Sequence, residues 1–114
     1  MTHAELVQSL KKTPEAIANE ITHSDLDIIH MGIGISGEAG ELLDAIKKKA
    51  IYQKELDREN VVEELGDLEF YMEGLRQATG ITREETIEHN IAKLTKRYGK
   101  QYSNEAAHAR ADKS

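Results

Sequence analysis

The chain has 114 residues, with 15 basic and 21 acidic side chains, a net charge of −6 and no cysteine. That length fits one domain, residues 1–114, and the lack of thiols excludes disulfides, thiolate metal sites and a cysteine nucleophile. The acidic balance makes nucleic acid a poor partner, and no signal segment or apolar run of ~18 residues is evident, so a cytoplasmic protein without membrane contact is expected.

The elements follow in chain order. Residues 2–12 read as a short helix capped by Thr2, with Glu5 at the capping-box position and Leu6, Val7 and Leu10 as its apolar stripe. Thr13-Pro14-Glu15 restarts the chain, Thr13 as N-cap and Pro14 at the first helical position. Ala16, Ile17 and Ile21 give that second helix a weak apolar stripe.

Ser24 is a good cap for a long helix to about Lys49, with Asp25 and Asp27 in its first turn. This helix contains Gly32, Gly34, Gly37 and Gly40, each costing ~1 kcal/mol relative to Ala. Gly32-x-Gly34-x-x-Gly37 imitates a dinucleotide-binding fingerprint, but that motif needs a βαβ unit and no second strand is in sight. The glycines read better as places where a neighbouring helix or ligand comes close. At ~100° per residue, His30, Gly34, Glu38 and Glu41 share one stripe, and Met31, Ile35, Leu42 and Ile46 the adjacent one. Lys47, Lys48 and Lys49 complement the helix C-terminus.

Residues 50–58 read as a connection, and Asp57 can cap a helix over roughly 58–79. Its apolar stripe is Val61, Leu65, Leu68, Met72 and Leu75; beside it run Asn60, Glu64, Asp67, Tyr71 and Gly74. Gly80 ends it. Thr82-Arg83-Glu84-Glu85 is a capping box that opens a helix to about Tyr98. Ile87, Ile91, Leu94 and Tyr98 form its apolar stripe, flanked by Asn90, Lys93 and Arg97, and Gly99 stops it. Residues 100–114 form a polar tail, in which Ser103 or Asn104 can cap a turn through Ala109, expected to order against a partner subunit. No period-two pattern occurs. The chain reads as all-α, a bundle of four to five helices.

Two acidic pairs carry the chemistry: Glu38 with Glu41, and Glu64 with Asp67. Residues three apart share a helix face, where like charges repel. One such pair is an ordinary solvated face. Two pairs at the edge of apolar stripes, followed by Asn90, Lys93 and Arg97, read instead as a carboxylate cage with a basic clamp. All-oxygen sites suit hard cations, Mg²⁺ first and Mn²⁺ next, carrying a polyphosphate substrate. The cation could polarise a phosphoryl oxygen and lower the pKa of a bound water, whose proton a remaining carboxylate could take. His30 reads as a packed or hydrogen-bonded histidine, and His3, His23, His89 and His108 as surface. Glu63 points to solvent, and Tyr71 either stacks on a base or, the favoured reading, fills the core.

Glu38-Ala39-Gly40-Glu41-Leu42, with 22 residues between Glu41 and the following Glu64-Leu65-Gly66-Asp67, resembles the E-x-x-E…E-x-x-D signature of the MazG-like all-α nucleoside triphosphate pyrophosphohydrolases. Asn90-x-x-Lys93-x-x-x-Arg97-Tyr98 is similar to that family's closing motif. The resemblance covers about residues 26–99. It implies Mg²⁺-dependent hydrolysis of a nucleoside triphosphate to the monophosphate and pyrophosphate, with metal-bound water as nucleophile. Glu38, Glu41, Glu64 and Asp67 would hold the metal, and Glu38 or Glu64 would serve as base. Asn90, Lys93 and Arg97 would contact the nucleotide. A homodimer or homotetramer with sites at subunit contacts is implied. Many members carry a Lys-Trp segment between the acidic motifs; here the stretch is Lys48-Lys49-Ala50-Ile51-Tyr52, which leaves base selection open with Tyr52 as a stacking candidate. The alternative is a non-catalytic helical module that binds Mg-nucleotide or a protein partner.

Overall fold

The computed structural model describes residues 1–99. They form five α-helices: α1 His3–Leu10, α2 Pro14–Glu20, α3 His23–Ala50, α4 Arg58–Thr79 and α5 Arg83–Tyr98. Among the described residues there is no strand, so the expected all-α class is what forms. No helix there is long and apolar enough to cross a membrane. The expected turn after Ser103 or Asn104 lies outside the described residues.

Local chemistry sets the helix ends. Thr2 and Glu5 exchange side-chain bonds with each other's backbone N–H groups, a complete capping box. α1 stops at Leu10, two residues short of the expected end. Thr13 precedes Pro14 and is extended, with ψ 150°, because a residue before proline is disfavoured in the helical region. Lys11 is already extended, with ψ 129°. Thr13 Oγ1 then accepts from Ala16 N–H to cap α2.

α3 begins earlier than Ser24 would start it. Its cap is Thr22, whose hydroxyl accepts from Asp25 N–H at 3.1 Å while Asp25 accepts from Thr22 N–H at 2.9 Å. Asp at the third position closes the box as Glu does elsewhere, and this places Ser24 inside the helix. The two hydrogen bonds from Thr22 hold the Asp25 carboxyl below its ordinary pKa. Asp57 caps α4 and Thr82 caps α5 as expected. At Thr82 the backbone N–H of Glu85 is bound, but no reciprocal bond from Glu85 completes the box. Gly80 ends α4 with φ 72°, a left-handed conformation that favours glycine.

The extensive helix packing among the described residues is α3 against α4. Glu64 meets Glu38 and Glu41, Tyr71 meets Gly34, and Gly74 meets Met31. Residue numbers rise on one helix as they fall on the other, so the two run antiparallel. Among the described residues Met31 and Ala45 are the buried apolar ones. The face that α4 turns to α3 is rotated from the expected apolar stripe. Leu65, expected inside, is 47% exposed, and Glu64 beside it is only 7% exposed. The acid expected at the edge of the core face stands in the seam itself. In this rotation Tyr71 sits close against Gly34.

The described residues do not bury an ordinary core. Ile29, Ile33 and Leu43 on α3 and Val62, Leu65 and Phe70 on α4 are all exposed. The radius of gyration is 20.0 Å, against ~13 Å for a compact domain of this length.

Candidate functional site

α3 and α4 bring carboxylates together where charge repulsion would drive them apart. Glu38, Glu41 and Glu64 each offer an oxygen within 4.8 Å of the others. Glu38 and Glu41 lie one turn apart on α3, and Glu64 reaches them from α4. Glu64 is buried, Glu38 half-buried and Glu41 exposed, so the group opens to solvent on one side.

The electrostatics are unrelieved. Oε2 of Glu38 and Oε2 of Glu64 are both buried with no hydrogen-bond partner. A buried acceptor without a partner is costly, and a buried charge more so. The Glu64 pKa is accordingly pushed up to about 7, first by the adjoining Glu38 carboxyl, then by burial and by Glu41. Two carboxylates this close cannot both ionise freely. A divalent cation would complete both orphaned oxygens and remove the repulsion. The donors are all oxygen, which is the set hard cations take. These three residues therefore fit a metal ion.

Asp67 stands apart from this group. It is exposed and outside the converging trio. Three of the four acids singled out in the sequence are thus brought together. Asn90, Lys93 and Arg97 all lie on α5, which does not pack extensively on α3 or α4. Within one chain, the clamp and the cage do not assemble by helix packing. Arg97 lies over the Tyr98 ring, 5.9 Å from its centroid.

The aromatic neighbours sort as follows. Tyr71 fills the space above Gly34, as its packing reading expects. His30 meets the Tyr71 ring edge-on with centroids 6.3 Å apart, and Phe70 does so at 5.2 Å. Tyr52 is exposed, with Lys47 Nζ 5.6 Å from its ring centre. Glu63 is exposed, as expected. Sequence reasoning missed the burial of Glu64 and the pairing of Tyr71 with Gly34. A tyrosine on the acidic stripe of one helix and a glycine on that of the other were the available signal.

A family model described as the MazG nucleotide pyrophosphohydrolase domain matches residues 29–101. No curated protein and no solved structure matches the chain.

Proposed function

The chain belongs to the MazG nucleotide pyrophosphohydrolase family, and from that premise we propose that it hydrolyses nucleoside or deoxynucleoside triphosphates to the monophosphate and pyrophosphate, with Mg²⁺ as cofactor and Mn²⁺ able to replace it. One observation carries the reading: three carboxylates from two helices converge, and two of their buried oxygens have no partner. A structural seam gains nothing from that arrangement, because like charges destabilise it.

Glu38, Glu41 and Glu64 are the proposed metal ligands. Asp67, one turn along α4 from Glu64, joins them as a fourth on the family motif alone. Bound there, the cation would supply Lewis-acid polarisation of phosphate oxygens and charge neutralisation. The chain's own residues do the rest. Glu64 and Glu38, which adjoin each other across the α3–α4 seam, are the two candidates for the general base that takes the water's proton. Water adds at the α-phosphorus, the bond to the bridging oxygen of the β-phosphate breaks, and the carboxylate takes the water's proton. Asn90, Lys93 and Arg97 hold phosphate oxygens by hydrogen bonds and charge.

The same proposal assigns the clamp to a second copy of the chain. α5 lies off the α3–α4 pair, and the exposed apolar residues of α3 and α4 call for a covering surface. A homodimer or homotetramer supplies both the cover and the missing basic residues. The test is product identification by phosphorus NMR across a panel of NTPs and dNTPs, with Mg²⁺ and with chelator. Monophosphate and pyrophosphate, formed only with metal, support the reading. Orthophosphate, or no turnover by folded protein, overturns it.

A further inference from the structure

The acids of this site are held together by something other than themselves, since each repels the others. The seam between α3 and α4 shows what does the holding. A Cβ added at Gly34 would lie closer than 3.0 Å to Cγ, Cδ1 and Cε1 of Tyr71. Carbon atoms rest at ~3.5–4.0 Å, so the ring or the helix would have to retreat by roughly 1 Å. Cγ is at the root of the ring and cannot swing away as a chain end can.

The contrast along the same seam is informative. Gly74 also has a close neighbour, but it is the Met31 side chain, headed by its sulfur, which is flexible and adapts. A Cβ added at Gly32, Gly37, Gly40 or Gly66 would meet no neighbouring element within 4 Å. Gly34 is therefore where a rigid group sets the distance between the helices. Gly34 lies one turn before Glu38, and Tyr71 lies seven residues after Glu64, ~10 Å along the helix. The ring is itself fixed edge-on by Phe70 and His30.

We propose that Tyr71, seated on the bare backbone at Gly34, is a positioning residue that sets the α3–α4 separation at which Glu38, Glu41 and Glu64 converge on a cation. The inference rests on the metal-centre reading given above for those acids. The tolerance is small. Mg²⁺ demands oxygens at ~2.0–2.1 Å in near-ideal geometry. The three donor oxygens lie within 4.8 Å of one another, while two oxygens on one such ion are at most ~4.2 Å apart, so side-chain adjustment already has to close the cage and a further ~1 Å between the helices takes one of them out of reach. The hydroxyl of Tyr71 has no part in this, so Phe serves as well as Tyr.

The test reads helix separation directly, in full-length metal-free protein. The chain has no cysteine, so Glu38→Cys with Glu64→Cys gives a single disulfide reporter across the seam. Its oxidation rate is compared in backgrounds carrying Tyr71, Tyr71→Phe, Tyr71→Leu and Gly34→Ala, each matched for helicity by circular dichroism. The expected result is an unchanged rate with Phe and a rate slowed at least ~10-fold with Leu and with Gly34→Ala, because disulfides form over a narrow range of separations. Gly34→Ala raises helix propensity, so it keeps the test alive if Tyr71→Leu fails to fold. In parallel, Mn²⁺ affinity is measured in the same backgrounds with all three acids present, and it falls with Leu and Ala but not with Phe. An unchanged cross-linking rate in folded Tyr71→Leu or Gly34→Ala protein overturns the positioning role. If the rates respond as expected but native protein shows no pyrophosphate release, the proposed activity falls and the positioning role stands.

Discussion

Glu38 and Glu64 face each other across the α3–α4 seam, and each leaves its Oε2 buried without a hydrogen-bond donor. Folding has put two negative groups where each raises the cost of the other. The pKa of Glu64 records that cost by rising from 4.5 to about 7.

Stability should therefore depend on pH in a definite direction when metal is absent. The folded chain keeps a proton on Glu64 up to about 7, whereas the unfolded chain releases it near 4.5. Between those values the folded state binds more protons, so stability falls as pH rises through the window and levels off above it. The lowered carboxyls of Glu5, Asp25 and Glu73 act the other way, but only below their ordinary values, outside that window. Thermal melts in chelator at pH 5, 6, 7 and 8 should show a progressive fall in Tm.

Replacing Glu64 with Gln removes the charge and keeps the shape. Glu64→Gln should flatten that pH dependence and raise the metal-free Tm at pH 8, because the repulsion with Glu38 and Glu41 is gone. The same change should lower turnover by about 10²–10⁴-fold, the usual contribution of a positioned acid–base group. A gain in stability coupled to a loss of activity is the mark of a functional acid.

If α5 acts on the site of a second copy, two inactive variants should repair each other. Lys93→Ala and Glu64→Gln chains are each inactive alone. Mixed in equal amounts and allowed to exchange, half the dimers are mixed, and each mixed dimer holds one intact site. Activity should return to about a quarter of that of the native protein, as statistical pairing in a twofold dimer requires. Clamps acting within their own chain would give no recovery.

The corrected start of α3 has its own test. Thr22, not Ser24, accepts the capping bond. Thr22→Ala should cost about 1 kcal/mol in urea unfolding, and Ser24→Ala should cost much less.

The sequence showed the helices well and their mutual rotation poorly. Capping residues, Pro14, Gly80 and Gly99 announce the ends because each acts on its own backbone neighbours. Glu38 and Glu41 were legible as a pair because residues one turn apart on a helix stay together, and Glu64 joins them from α4. Asp67 followed the same spacing yet lies outside the trio, since spacing fixes which residues share a stripe but not how far the helix is turned. The turn that forms brings Tyr71 against Gly34, a contact between residues 37 positions apart. Leu65 and Ile46 looked like core from their periodicity and are exposed at 47% and 46%. Periodicity identifies a face that needs cover, not the molecule that covers it.

The central claim is that Glu38, Glu41 and Glu64 form a metal centre. Titration of metal-free protein with Mn²⁺, followed by the loss of the free-ion EPR signal, tests it most directly. Native protein should take up Mn²⁺ saturably at pH 8 and more weakly at pH 6, where Glu64 holds its proton; Mg²⁺ should compete, and Glu64→Gln should weaken uptake at least ~10-fold, a typical loss when a metal-site contact is removed. Equal uptake by native and Glu64→Gln protein, or none by folded native protein, would contradict the account.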